Sequence, residues 1–207
     1  MRVLVVSEGR HELGRHAEGR QQEPGALENL IRQLGGNQAE LTFDKVSSNA
    51  IHVFNGKGAG FFKRAVGWLK EAQRRNVDAL ILLIDQDGER DRSEQIQSAQ
   101  ECRLLDLPHA MGVAIRTFDA WMLADEGALT EVLGGTISRQ TEPETIRDPK
   151  AVCAGLLARG QNQMAQSEMY ARIAHRINIG LLSARCPMGF GLFAKYVRQV
   201  FVQEECS

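Results

Sequence analysis

The sequence lacks an excess of charge of either sign: 25 Lys and Arg stand against 26 Asp and Glu, a formal charge of −1. That excludes a uniformly basic nucleic-acid-binding chain, though not a locally basic surface. Cysteine is sparse. The four, Cys102, Cys153, Cys186 and Cys206, include no pair at C-x-x-C spacing, which argues against a zinc site and for reduced thiols in a cytoplasmic protein. Long hydrophobic runs are missing as well. No segment has the apolar length of a membrane span, and the apolar stretch in MRVLVVSEGRHE is too short for a secretory leader. The expectation is a cytoplasmic protein with no membrane association. Internal repeats and low-complexity segments are absent. With 43% hydrophobic and 25% charged residues, the chain is neither a disordered tail, a collagen-like fibre nor a coiled-coil rod, and its length suffices for a core without disulfides or structural metal.

What is present is an alternation. Residues 3–6 form a β-branched run that reads as a buried strand, and 79–84 (ALILLI), apolar on both faces, as a central parallel strand. Residues 51–54 and 112–116 are further strand candidates. Between them, helical spacing is expected over 27–34, over the basic amphipathic stretch 61–75 and over the polar stretch 92–105. This predicts an α/β fold with a mostly parallel, Rossmann-like sheet flanked by helices over residues 1–117. From Phe118 the character changes. Stretches 120–133, 149–159, 167–182 and 190–202 read as helices and 136–147 as a polar loop. Residues 118–207 are thus expected to form a C-terminal helical extension packed on the core, an organisation also compatible with one continuous domain.

The chemistry-bearing residues gather at strand ends. Strand 79–84 runs into Asp85-Gln86-Asp87-Gly88-Glu89, the first strand delivers Glu8-Gly9 with Glu12 one turn on, and 112–116 delivers Asp119. Ligands of open α/β sheets bind outside the carboxyl ends of the strands. While the chain stays extended, Asp85 and Asp87 face the same way, and two neighbouring carboxylates are most easily held ionised by a divalent cation. Taken singly, D-x-D-G and Glu-Gly are also ordinary turns.

Together, VVSEGRHE (5–12) and LLIDQDGE (82–89) resemble the Toprim domain, the metal-binding α/β module of topoisomerases, primases and a class of nucleases. The second acid four residues after the first is similar to the overcoming-lysogenisation-defect nucleases. FDAWMLAD (118–125), DPKAV (148–152) and CPMGFGLFAKYV (186–197) resemble small Toprim-like proteins of uncharacterised function often encoded beside an ATPase. The resemblance implies metal-dependent phosphodiester cleavage of DNA or RNA with Mg²⁺ or Mn²⁺, as a defence-system or toxin-like effector with an ATPase partner. It makes Glu8 general base or ligand, gives the metal to Asp85 and Asp87, and assigns Glu12 and Asp119 to a second metal position. Lys150 is the matching cation for the transition state, with Lys195 as runner-up. The subgroup usually carries Glu where this chain has Asp119, one methylene shorter. The polar stretch 14–24 is longer than expected and reads as a loop over the site. Topoisomerase chemistry does not fit, since the two tyrosines, Tyr170 and Tyr196, lie in helical stretches and there is no room for a clamp.

Charge is unevenly placed. Residues 57–75 hold six bases against one acid and 149–203 seven against one, whereas 85–106 hold seven acids against three arginines. An acidic pit with basic flanks suits a polyanion, and Lys57, Lys63, Arg64, Arg172, Arg176 and Lys195 are the candidate nucleic-acid contacts. Amphipathic helices also carry such residues simply as solvated faces, Lys150 included. GKGAG (56–60) before the basic helix offers a phosphate cradle but lacks Walker spacing. His11 and His16 read as solvated loop residues, Glu89 and Asp91 as acids favouring a helix dipole, and Trp121 as a core anchor. Two alternatives stay open: a non-catalytic nucleic-acid-binding or regulatory module on the same scaffold, and a phosphatase using Asp85 as nucleophile, against which Glu8 argues.

Overall fold

The computed structural model describes residues 1–13, 24–46 and 58–202. The strand candidate at 51–54, Lys57, His16 and most of the stretch 14–24 lie outside them. Among the described residues, four strands form one all-parallel sheet: β1 (Arg2–Ser7), β2 (Glu40–Lys45), β3 (Ala79–Asp85) and β4 (His109–Ala114), in the order β2-β1-β3-β4. Helices cover both faces, so the fold is a Rossmann-like α/β arrangement.

The alternation of side chains along each strand builds the two interfaces. Val3, Val5, Ile81, Leu83, Ala110 and Ala114 face one layer, which contains α2 (Ala26–Gln33) and the helices that follow β4. Leu4, Val6, Leu80, Leu82, Met111 and Val113 face the other, where α3 (Gly60–Arg74) and α4 (Asp91–Gln100) supply Trp68, Leu69, Ile96 and Ala99. Every residue from Ala79 to Ile84 is buried, as apolarity on both faces of a central parallel strand requires.

β2 is an edge strand at Glu40–Lys45, a stretch not expected to be one. Its inward residues are only Leu41 and Phe43, both partly buried, so its apolar signal is thin. β4 begins at His109, three residues earlier than expected, and ends at Ala114. Its Gly112 admits α10 (Leu192–Val202): a Cβ there would stand 2.6 Å from the Phe193 ring.

The helical half has more breaks than its periodicity shows. The stretch 120–133 divides into α5 (Asp119–Met122) and α6 (Glu126–Leu133), because Asp125 caps α6 by accepting from the Gly127 and Ala128 N–H groups at 3.0 and 3.1 Å. The stretch 167–182 divides into α8 (Gln166–Arg176) and α9 (Ile179–Arg185), capped by Asn178, whose own N–H donates to Asp125 Oδ2 at 2.9 Å. One acid therefore ties the two breaks together. α7 (Pro149–Arg159) stands where expected, capped by Asp148. Trp121, Tyr170, Phe190 and Phe193 from this half share a buried cluster with Val3, Val5 and Ile81. No helix among the described residues is long and apolar enough to cross a membrane.

Candidate functional site

The strand order places a reversal between β1 and β3. The chain leaves β1 for β2 on one side, then crosses to β3 on the other. At such a switch point the connecting segments diverge and leave a crevice beyond the carboxyl ends of the strands. Glu8 follows β1 and Asp85 ends β3, and the two strands are in direct register with Ser7 opposite Leu83. Glu8 Oε2 accepts the Asp85 N–H at 2.9 Å, and Asp85 Oδ1 accepts the Phe118 N–H from beyond β4 at 2.8 Å.

The chain does not stay extended past Asp85. Asp87 (φ 49°) and Gly88 (φ 79°) both adopt left-handed backbone, which Asp tolerates and Gly favours. The turn carries Asp87 to the exposed rim, so D-x-D-G here is both a turn and a pair of acids. Glu-Gly in the first motif also has a steric reason. Glu12, on the short α1 (Arg10–Leu13), folds back so that its carboxylate lies against Gly9, where a Cβ would meet Glu12 Oε1 at 2.2 Å. Ser7 Oγ donates to Glu12 Oε2, and the side chain is 5% exposed.

Asp119, buried at the start of α5, is held from the helical half. The Tyr170 hydroxyl donates to its Oδ1, Gln166 Nε2 donates to the same oxygen at 3.5 Å and to Tyr170 Oη at 2.7 Å, and Cys153 Sγ donates to its backbone carbonyl at 3.5 Å. From the sequence, Tyr170 reads only as a tyrosine in a helical stretch, unsuited to topoisomerase chemistry, and nothing marks Gln166. The pairing spans 51 residues and has no local signature.

Burial and mutual repulsion raise the acids' pKa values. Asp85 is pushed up to about 7, first by burial and then by Asp87, Glu8 and Asp119, against the opposing pull of the Phe118 N–H. Glu12 is raised well above the usual carboxylate range by burial, then by Asp85, with Asp119 and Glu8 adding to it. Glu8 is raised by burial, with the Asp85 N–H and Arg92 pulling it back. Each of the other four acids read from the sequence therefore lies within electrostatic reach of Asp85.

The predicted cations are dispersed. Arg64 on α3 is near enough to lower the pKa of Glu8. Lys63 is half-buried on the same helix. Lys150 is exposed in the first turn of α7, three residues before Cys153. Arg172 and Arg176 on α8 pair with Glu168 (2.6 Å) and Glu131 (3.5 Å) and line a cleft of about 660 Å³ against Asn29, Arg32 and Gln33 of α2. Lys195 is exposed on α10, 5.9 Å from the Tyr196 ring. The cation that does enter the pit is Arg92, from the first turn of α4. Its Nη1 donates to Asp85 O (2.9 Å) and Asp87 Oδ2 (3.3 Å). The acid-rich context of residues 85–106 hid it, because a tally of sign does not reveal which arginine turns inward.

Among the described residues, no three His, Cys, Asp or Glu side chains are already gathered as a ready-made ligand set. Each carboxylate named above instead leans on a protein donor. The donor chemistry nonetheless fits a hard divalent cation: the pit offers carboxylate oxygens, each with acceptor capacity beyond one hydrogen bond. Its desolvated acids also repel one another, a cost that a cation relieves. No family model, curated protein or solved structure matches this chain.

Proposed function

We propose that this protein is a Toprim-like, metal-dependent phosphodiesterase of the nuclease type, acting on DNA or RNA in the cytoplasm. The observation that carries the reading is the cluster of desolvated carboxylates at the β1/β3 switch point, with Asp85 pushed up to about 7. Strongly perturbed acids in a crevice are a mark of functional sites. Asp85, Asp87 and Glu8 would hold Mg²⁺ or Mn²⁺, with Glu12 and Asp119 serving a second position. When bound, such an ion neutralises the phosphate and polarises the bond to be cleaved.

The chain's own residues do the remaining work. Glu8, its pKa raised by burial, suits the uptake of a proton from the attacking water. Tyr170 and Gln166 fix the direction of the Asp119 carboxylate. Arg64 and Lys63 extend positive charge from the pit along α3, and Lys150 offers it on α7. Phosphate contacts of this kind predict binding that falls steeply with salt and reads little sequence. By the resemblance, an encoded neighbour with ATPase activity is the partner.

The test is cleavage of plasmid DNA and of RNA with Mn²⁺, with and without that ATPase, comparing wild type with Asp85→Asn. Equal cleavage by both identifies a contaminant. A second reading, a non-catalytic binding or regulatory module, is favoured by the protein donors that already engage Glu8, Glu12, Asp85 and Asp119. Salt-sensitive nucleic-acid binding without cleavage under any of these conditions would establish it.

A further inference from the structure

Arg92 stands where an ion would be useful. Its Nη1 lies 2.9 Å from Asp85 O, 3.3 Å from Asp87 Oδ2 and 3.7 Å from Glu8 Oε2. One nitrogen thus draws an oxygen from each of the three residues that converge on the switch point. The rest of the guanidinium is anchored away from these oxygens. Nε and Nη2 form a fork on Glu89 at 3.2 and 3.1 Å, and the Phe61 ring of α3 lies 4.3 Å beneath the guanidinium carbon. The side chain is 10% exposed. A planar, permanently charged group held by a carboxylate fork and a ring face is pre-positioned against the oxygens of the pit.

We propose that Arg92 is a resident counter-ion that competes with the divalent cation for Glu8 and Asp87, so that it sets how tightly the pit takes metal. This rests on the metal-dependent reading above. The physical argument is charge economy. The pit concentrates carboxylates in partly dry surroundings, and a cell-supplied dication and the guanidinium cannot both lie against the same oxygens without repelling each other. Entry of a dication requires Nη1 to give up Asp87 and Glu8. The fork on Glu89 and the stack on Phe61 hold the guanidinium against these oxygens and so resist that retreat.

A purely structural role for Arg92 predicts the opposite sign. If the guanidinium only glued the acids into position, removing it would spread them and weaken metal binding. The experiment is calorimetric titration of the full chain with MnCl₂ at fixed pH and salt, using wild type, Arg92→Gln and Phe61→Leu. Arg92→Gln is expected to bind Mn²⁺ about tenfold tighter, equivalent to ~1.4 kcal/mol. Phe61→Leu, which removes only the ring beneath the guanidinium, is expected to tighten binding about two- to threefold, as loss of part of a cation–π contact would allow. Cooperative unfolding of Arg92→Gln together with unchanged or weaker Mn²⁺ binding overturns the proposal. Should that variant fail to fold, Phe61→Leu decides it, tighter binding supporting the proposal and unchanged or weaker binding overturning it. Wild-type binding with no change in either variant removes this proposal alone. No binding in wild type or either folded variant removes the metal reading and this proposal with it.

Discussion

On α3, Arg74 and Arg75 both reach the buried Glu71 carboxylate at 2.8 Å and hold it down at about 2, the Arg74 hydrogen bond contributing most. Arg185 does the same for Glu126, at about 2, while also donating to Ala124 O at 2.6 Å. At the carboxyl edge of the sheet the ratio is inverted. Among the described residues, five acids share one inward guanidinium, with Arg64 acting at longer reach, and Asp85 is pushed up to about 7. The same residue types thus sit in opposite electrostatic states within one small fold. At Glu71 and Glu126 the fold supplies arginine. Where an acid is left short of positive charge, burial becomes a standing cost that only an outside cation or a proton relieves.

The sharpest way to separate the two regions is to neutralise one acid in each. Asp85→Asn keeps an oxygen for the Phe118 N–H but removes charge from the pit. It is expected to lower Mn²⁺-dependent cleavage by about 10²–10³-fold or more, and to raise stability at pH 8 by about 1–2 kcal/mol, the usual relation between a strained site and its scaffold. Kinetics and urea unfolding of the same preparation check both halves. Glu126→Gln strands Arg185, which is 7% exposed in its side chain. It should cost about 2–3 kcal/mol, less than a fully buried pair because Glu126 is partly exposed, with cleavage per folded molecule unchanged.

Titration tests the comparison without any substitution. Asp85 has a folded value of about 7 against an ordinary 3.8. Its ionisation therefore destabilises the fold fully above pH 7, and stability rises as pH falls from 7 toward 4, with no further change below. Glu71 and Glu126 run the other way: folded at about 2 against an ordinary 4.5, they stabilise fully above pH 4.5 and lose that contribution as pH falls toward 2. Urea midpoints should rise from pH 8 to about 5 and fall below about 4. Asp85→Asn should flatten the first limb and Glu126→Gln should weaken the second.

A smaller effect is expected at Gly9, where a methyl group would push against Glu12 Oε1. Gly9→Ala should weaken Mn²⁺ binding by about tenfold, in the range seen when the support of a metal ligand is disturbed. Calorimetry with Mn²⁺ reads it directly. Smallest of all, Arg172→Ala breaks an exposed i,i+4 pair with Glu168, and should shift stability by less than about 0.5 kcal/mol, measured as a urea midpoint. Its expected effect is on the salt dependence of nucleic-acid binding instead.

Legibility followed the strength of the local signal. β1 and β3 were plain because a strand buried on both faces is apolar at every position, and the acids at their ends were plain because they follow at once in sequence. β2 was missed because an edge strand with Leu41 and Phe43 as its only inward hydrophobes barely differs from a loop. The breaks at Asp125 and Asn178 were missed because periodicity persists across a cap. Arg92, Tyr170 and Gln166 were hidden for another reason. Their meaning lies in what they touch across the fold, and neither charge totals nor spacing encode a contact such as that between residues 119 and 170.

That last contact has a temporal side. The pit draws Glu8 and Glu12 from the first strand-to-helix passage, Asp85 from the third strand, Asp119 from beyond the fourth, and the Tyr170 hydroxyl from α8. Domains made on the ribosome emerge from their amino end, at about 5–20 residues per second. The acids are therefore synthesised well before the hydroxyl that orients Asp119, and roughly 8–30 seconds separate the first of them from Tyr170 at that pace. An incompletely made chain holds the carboxylates without the finished arrangement. Completion of α8 is thus the last step in assembling the hydrogen bonds around Asp119.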